Sequence, residues 1–450
     1  MCDDIENICL DAIDGSCAGV VFESVLFVYS LVGIAQVADA HLVPGLETLC
    51  HRWKIPGDVA GASFLALGSS APEIIVSAVS TAKSILAQSV HHGSGTSDEH
   101  SAFATTLGIS SIVGSGMMAF MLIPGLCALA VPHTLRLKRR PLLRDVFGYI
   151  MALGLLHATV FRRVVAFRHA AFMLTLYGLY LVVVSTAPYL RESYRVRVSG
   201  LQPRGSTPDS RYVTDDMEAL QLGRAASLTE SLDPNAGADS GEGEDEEPAH
   251  PMVRALAMPF RPMFALLSAT CPESEVGGAQ EDRYVVTLVA AFAWLAAFST
   301  VLLAVVTRWG MLLAVPATVM GMYVVAVGAQ IPDTVQAVAV ARRGHGSMAV
   351  ASAVGSQVIN ILIGLGLPWT MSASVGRPIY IADRPELLRI VWAMWVCIGA
   401  YLVILVMPTL PTWCREGTAS LGRKEGVLLI TAYFASVLLY SFETKLHTPS

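Results

Sequence analysis

The feature that most constrains this chain is a series of ten apolar blocks, many of them near the roughly 20 residues a helix needs to cross a bilayer. They fall at 18–39, 58–90, 102–130, 145–161, 169–190, 284–307, 311–341, 348–370, 387–408 and 425–441. Composition agrees. Of the 450 residues 54% are hydrophobic and only 15% charged, where soluble domains carry about 25% charged residues. The expectation is an all-α membrane protein of ten transmembrane helices, five on each side of a long polar segment. Such a chain is a multi-pass integral membrane protein, with plasma membrane and endomembrane both open.

The net charge of −6 is unevenly spread. Residues 192–283 hold 17 acidic residues against 8 arginines and no lysine, while the remainder carries 22 basic and 19 acidic residues. The acidic part, with GADSGEGEDEEP at 237–248, cannot bury enough apolar surface to offset its ordering entropy, so 195–250 is expected to be mostly disordered. Residues 252–270 are apolar but broken by prolines, which suits a segment on the membrane surface. Lys and Arg near the helix ends favour an extracellular N-terminus, with Arg136, Lys138, Arg139, Arg140, Arg342 and Arg343 on the cytosolic side. The expected organisation is an extracellular N-terminus at 1–17, a first five-helix unit at 18–190, a cytosolic loop at 191–283 and a second five-helix unit at 284–450. The acidic N-terminus has no basic region leading into an apolar one, so no cleavable signal is expected. No basic patch suggests nucleic acid, and the eight cysteines show no paired spacing for a zinc site or disulfide framework.

An internal repeat carries more information. IPGDVAGASFLALGSSAPE (55–73) aligns without gaps on VPATVMGMYVVAVGAQIPD (315–333), and SSIVGSGMMAF (110–120) aligns on ASAVGSQVINI (351–361) in the same order. Because each half holds an odd number of helices, the second half must be inverted. Inverted repeats with interrupted helices at matching positions are the signature of a secondary transporter with a midplane site.

Glu73 and Asp333 occupy the same place in the repeat, deep in apolar blocks. A carboxylate there costs about 2.5–3.5 kcal/mol even on the lenient insertion scale. Each follows a proline, Pro72 or Pro332, which removes a helical bond and frees a carbonyl four residues back. Ser69 and Ser70 stand one turn before Glu73. Ser352, Ser356 and Asn360 form a stripe on one helix face, matched by Ser111, Ser115 and Ala119 in the first half. Carboxylates, hydroxyls and loose carbonyls meet the six to eight oxygens Ca2+ prefers. Two negative charges balance one Ca2+ or two Na+, and an empty site would leave buried charge uncompensated. The structural alternative is a pair of Pro-kinked helices whose carboxylates are hydrogen-bonded to neighbours.

These residues resemble a family. VADAHLVPGLETLC, DVAGASFLALGSSAPE and IVGSG in the first half, with VMGMYVVAVGAQIPDTVQAVAVARRGHGSMAV and GLGLPW in the second, look like the potassium-dependent sodium/calcium exchangers of the cation/calcium exchanger superfamily. The resemblance implies ten helices and Ca2+ moved against Na+, with Glu73 and Asp333 holding Ca2+. It implies that Ser69, Ser70, Ser115 and Ser356 hold Na+. Four positions depart from it. Ala329 and Gln330 replace the family's Thr-Ser, which removes two hydroxyls and leaves the Gln330 amide as a ligand. Ala119 and Gln357 replace asparagines. Asn360 replaces the aspartate thought to create the K+ requirement, so exchange without K+ is expected.

The competing readings are a proton-coupled or other divalent-cation exchanger and a non-transporting cation-binding scaffold or sensor. An intramembrane aspartyl protease does not fit a Glu–Asp pair, and no other enzyme motif is present; neither a cofactor nor catalysis is expected, and the partners are Ca2+, Na+ and membrane lipid. Three weaker signals have bland alternatives: the histidine-rich HHGSGTSDEH (91–100), the basic-directed Ser227, and the acidic run 242–247.

Overall fold

The computed structural model describes residues 17–53, 66–90, 95–162, 164–199, 258–272, 274, 281–313, 315–376, 379–381, 384–407 and 418–447. The expectations for 1–16, for 200–257 with Ser227 and the acidic run, and for the start of the first repeat motif (54–65) lie outside these residues. So do the side chains of 91–100. At 195–199, expected to be disordered, the chain is helical.

Most of the described chain is long helices. Helix α1 is Cys17–Gln36, continued through a π-helical turn, Val37–Leu42, into Val43–Arg52. Helix α2 is Ala66–Val90; α3 is Gly95–Met117, continued through a π turn, Met118–Leu122, into Ile123–Ala130. Then come α4 (Arg139–Phe161), α5 (Phe167–Ser199), the short α6 (Arg261–Thr270) and α7 (Tyr284–Leu312). Helix α8 runs from Ala317–Val319 through a π segment, Met320–Val325, to Ala326–Val340. A tight turn with Gly344 at φ 94° leads into α9 (Gly346–Leu362), and a residue without a Cβ adopts that backbone readily. Helices α10 (Gly366–Ser374), α11 (Arg384–Val406) and α12 (Arg423–His447) complete the set.

Among the described residues, eight helical stretches are long and apolar enough to cross a membrane: 19–52, 105–130, 142–161, 167–184, 284–312, 317–340, 346–374 and 385–406. Helices α2 and α12, 25 residues each, are not among the eight.

Two of the π turns have a local cause. Each stands just before a Leu-x-Pro-Gly sequence, LVPG at 42–45 and LIPG at 122–125. Pro44 and Pro124 cannot donate to the carbonyls of Ala40 and Phe120, so the ladder widens there instead of closing.

Pro72 and Pro332 behave differently from the expectation of broken helices. Both lie inside continuous α-helix. The residues four before them are Gly68 and Gly328, whose carbonyls lose their usual donors. Both glycines admit α1: a Cβ at Gly68 would come within 3.0 Å of Val43, and one at Gly328 within 2.6 Å of Leu31. The absence of a side chain at both positions lets α1 pack closely against the proline helices.

Two short antiparallel sheets tie loops together. β1 (Leu135–Lys138) pairs with β4 (Thr418–Leu421), Leu135 opposite Leu421 and Lys138 opposite Thr418. β2 (Val164–Val165) pairs with β3 (Ile379–Tyr380). The buried side chains divide into two clusters. The larger joins α3, α4, α5, α9, α10, α11 and α12; the smaller joins α1, α2, α6, α7 and the start of α8. Within the smaller, Arg308 Nε of α7 lies 2.6 Å from Glu23 Oε1 of α1, and Trp309 Nε1 donates to Glu23 Oε2 at 2.9 Å.

Candidate functional site

Helices α2, α8 and α9 carry three of the four repeat motifs and meet where the two clusters join. Glu73 is buried at 3% exposure, and Gln330, from the other half of the chain, is buried at 1%. The Gln330 amide donates to Glu73 Oε1 at 2.7 Å. Ser70, at the position equivalent to Gln330, donates to the Ser356 carbonyl at 3.3 Å, so α2 is also joined to α9.

Beside this contact lies a cavity of about 40 Å3, larger than the 10–15 Å3 that holds one water. Its polar lining is Ser69, Asp333, Gln336, Ser352 and Ser356; Ala337, Val340, Met348, Ala349 and Ala353 line the remainder. Four residues from three repeat motifs (Ser69, Asp333, Ser352 and Ser356) thus converge on one space.

Several hydroxyls expected as ligands are engaged with their own helices. Ser69 donates to the Ala66 carbonyl at 3.1 Å, and Ser356 to that of Ala353 at 3.0 Å, the back-bonding that Ser commonly shows in helices. Their oxygens keep lone pairs for a second partner. Asn360 does not line the cavity. It donates to Gln357 Oε1 at 3.2 Å, and Gln357 donates to Ser356 Oγ at 3.4 Å, a relay ending at the cavity wall. Ser115 is fully buried on α3 and is not among the lining residues.

Three buried oxygens, Gln330 Oε1, Asn360 Oδ1 and Ser115 Oγ, lack a hydrogen-bond partner among the described residues. An unpaired buried acceptor costs about 1–3 kcal/mol, and such atoms are what a hard cation would engage. Among the described residues no three His, Cys, Asp or Glu side chains converge. A cation here would therefore draw on hydroxyl, amide and backbone oxygens beside the carboxylates.

One charged neighbour was not singled out in the sequence. Asp333 interacts electrostatically with Glu73 and also with Asp39. Asp39 sits in the π turn of α1. The available signal was an acid at the end of an apolar block, in the quoted VADAHLVPGLETLC.

Close helix crossing holds this geometry. A Cβ at Gly114 of α3 would come within 2.6 Å of the Met322 carbonyl oxygen of α8, and one at Gly321 within 2.6 Å of the Leu107 carbonyl oxygen. Gly114 belongs to one repeat motif and Gly321 to another, so the repeats place small residues where α3 and α8 touch.

The sodium/calcium exchanger protein family matches residues 22–186 and 283–442, most of the chain outside the central loop. Sodium/potassium/calcium exchanger 5 of Homo sapiens is 28% identical over 379 residues, covering 78% of this chain and 70% of that protein. Sodium/potassium/calcium exchanger 4 of Homo sapiens is 23% identical over 519 residues, covering 90% and 78%. The fold is similar to the crystal structure of an H+/Ca2+ exchanger, CAX, with a TM-score of 0.55 at 12% identity over 93% of this chain and 84% of that one. With its membrane-length helices and paired motifs, the chain belongs to the sodium/calcium exchanger family, a family of multi-pass membrane transporters and not of enzymes.

Proposed function

We propose that this chain is a secondary antiporter that exchanges Ca2+ for Na+ at a site built on Glu73 and Asp333. The observation that carries this reading is the convergence of Ser69, Asp333, Ser352 and Ser356, from three repeat motifs, on one small cavity, beside the contact in which Glu73 of one half is held by Gln330 of the other. The related proteins named for sodium, potassium and calcium exchange support the choice of ions.

The site explains why exchange is favoured over leak. Two buried carboxylates without a cation are costly, so either ion species relieves the site and vacancy is disfavoured. The Gln330 amide relieves part of that cost by donating to Glu73. A half-turn of the carboxamide would replace its N–H groups with Oε1, which would then be a ligand for the cation. Ser69, Ser70, Ser356 and Ser115 supply the oxygens proposed for Na+, and the neutral Asn360 underlies exchange without K+.

Ten spans in two inverted five-helix repeats are part of the same proposal. The sheets support it. β1 and β4 pair the loop after α3 with the loop before α12, while β2 and β3 pair the loop after α4 with the loop before α11. Equivalent loops of the two halves thus fall into different sheets, as a two-fold axis in the membrane plane would require.

Purified protein in liposomes loaded with Na+ should take up Ca2+, with or without K+, and should not do so without the Na+ gradient. The missing hydroxyls at Ala329 and Gln330 favour a second reading, in which protons replace Na+. Uptake driven by a pH gradient in Na+-free medium would establish that reading and sink the first.

A further inference from the structure

The cavity beside the Glu73–Gln330 contact holds one polar side chain that the paired motifs do not account for. Gln336 stands three residues beyond Asp333 on α8, on the same side of the helix, and lines the cavity with it. Carrying the repeat offset onward through the two continuous helices places Gln336 opposite Val76 of α2. Val76 is buried at 3% exposure and packs in the smaller apolar cluster. An apolar residue serves at this register of the repeat, so packing does not explain a carboxamide.

The other lining residues show the same contrast between the halves. Ala337, Val340, Ser352 and Ser356 correspond to Ser77, Ser80, Ser111 and Ser115, which are all buried at 2% exposure or less. With Glu73 and Val76 also buried, the equivalent space in the first half is packed shut. In the second half Asp333 and Gln336 are half-buried and Ser352 is exposed, so the cavity opens outward between α8 and α9. Ala337, Val340, Met348 and Ala349 line it between the site and the tight turn at Gly344. Gln336 therefore stands where an ion arriving from the turn side would meet the site.

Charge decides which ion fits. The lining holds one carboxylate, Asp333, and four neutral side chains with an oxygen to offer, Ser69, Gln336, Ser352 and Ser356. One negative charge balances one monovalent cation; a divalent ion would be left with uncompensated charge unless Glu73 joined it. Glu73 is not among the lining residues and is engaged by Gln330. The volume of about 40 Å3 accommodates a cation with water beside it. Gln330 and Gln357 are tied by hydrogen bonds, whereas no described residue bonds the Gln336 carboxamide, which leaves its oxygen able to turn inward.

We propose that Gln336 is a further cation ligand, supplying Oε1 to a Na+ held in this cavity by Asp333, Ser69, Ser352 and Ser356. It sets the affinity for Na+ and leaves Ca2+ to the two carboxylates. The choice of Na+ rests on the exchange function proposed above; the place of Gln336 in a cation site does not.

The test uses the full chain. Gln336→Met removes the oxygen at nearly constant length, and Gln336→Val installs the residue of the counterpart, should the first variant not fold. Thermal unfolding in detergent, with choline replacing Na+ at constant ionic strength, reads Na+ binding without any flux. The Na+ concentration giving half of the stabilisation should rise at least threefold in either variant, and that for Ca2+ should stay within twofold. Half-saturating Na+ for Ca2+ uptake into liposomes should rise by the same factor. Gln336→Glu, which keeps an oxygen there, should hold the Na+ value at or below that of the unmodified chain. An unchanged Na+ value in the folded Met or Val variant would overturn Gln336 as a ligand. An equal rise for Ca2+ would overturn the assignment to a monovalent ion. Na+ stabilisation that weakens in the variants of a protein without Ca2+ flux would uphold the ligand and sink the antiporter. Ca2+ flux driven only by a pH gradient, with no Na+ stabilisation of the unmodified chain, would overturn both the Na+ ligand and Na+ coupling.

Discussion

The amide of Gln330 donates to Glu73 Oε1 at 2.7 Å, so the carboxylate of one half of the chain is held by a residue of the other half, at the position equivalent to Ser70. A charge-assisted hydrogen bond of this kind contributes about 1.5–3 kcal/mol. A cation bound by Glu73 would compete with it for the same oxygen. Replacing Ala329→Thr and Gln330→Ser together removes the competitor and restores two hydroxyls. Half-saturating Na+ in a liposome exchange assay should fall at least threefold, and an unchanged value would mean that Gln330 plays no part in the site.

The carboxylates themselves should be indispensable to flux but not to folding. Glu73→Gln and Asp333→Asn each remove one buried charge that a cation would neutralise. Exchange should drop of the order of 100-fold, equivalent to about 2.7 kcal/mol. Thermal unfolding in detergent without Ca2+ should be unchanged or shifted upward, because an uncompensated buried charge is lost. Ca2+ flux surviving in either variant would remove that residue from the site.

Asn360 tests the K+ question. It is buried, with its Oδ1 unpaired among the described residues. Asn360→Asp should make Ca2+ exchange depend on K+ in the medium, where the unmodified chain should exchange equally well in K+-free solution. A K+ requirement in the unmodified protein would show that its K+ ligands lie elsewhere.

The α3–α8 crossing should resist even one added methyl. Gly114→Ala and Gly321→Ala each force backbone apart, and overpacking of that kind costs about 1–3 kcal/mol. Both should lower the unfolding temperature by several degrees. Gly178→Ala on α5, where a Cβ would meet nothing within 4 Å, is the control and should be neutral or stabilising by about 0.5–1 kcal/mol.

The sheets offer a direct test of inversion. Cysteines at Arg136 and Ser420, cross-strand neighbours in β1 and β4, should be labelled by impermeant reagents from one side of the membrane only. Cysteines at Val164 and Tyr380, neighbours in β2 and β3, should be labelled from the other side. Labelling of both pairs from one side would refute inverted repeats.

Much was legible in the sequence because a membrane imposes local rules. Block length and apolarity report on a helix by themselves, and most of the expected blocks reappear as long helices. The gap-free repeat singled out Glu73 and Asp333 without any structure, since a charge in an apolar block is anomalous wherever its neighbours lie. The prolines were a partial success. Their chemistry identifies the carbonyls of Gly68 and Gly328 as short of a donor, yet the helices stay continuous under α1, where broken helices were expected.

What only the tertiary structure decided is which helix meets which. Gln330 finds Glu73 across 257 positions, Asp39 comes within electrostatic reach of Asp333, and Phe260 and Ser274 meet α1 at Tyr29 and Thr48. Asn360 belongs to the expected serine stripe, yet only Ser352 and Ser356 face the cavity, and Asn360 reaches it through Gln357. Each of these depends on close approach between helices, set by the shapes of small residues such as Gly114 and Gly321. Apolar pattern says that a helix is buried or faces lipid. It carries no information about the partner, because in a bilayer one apolar face is as well solvated by lipid as by another helix.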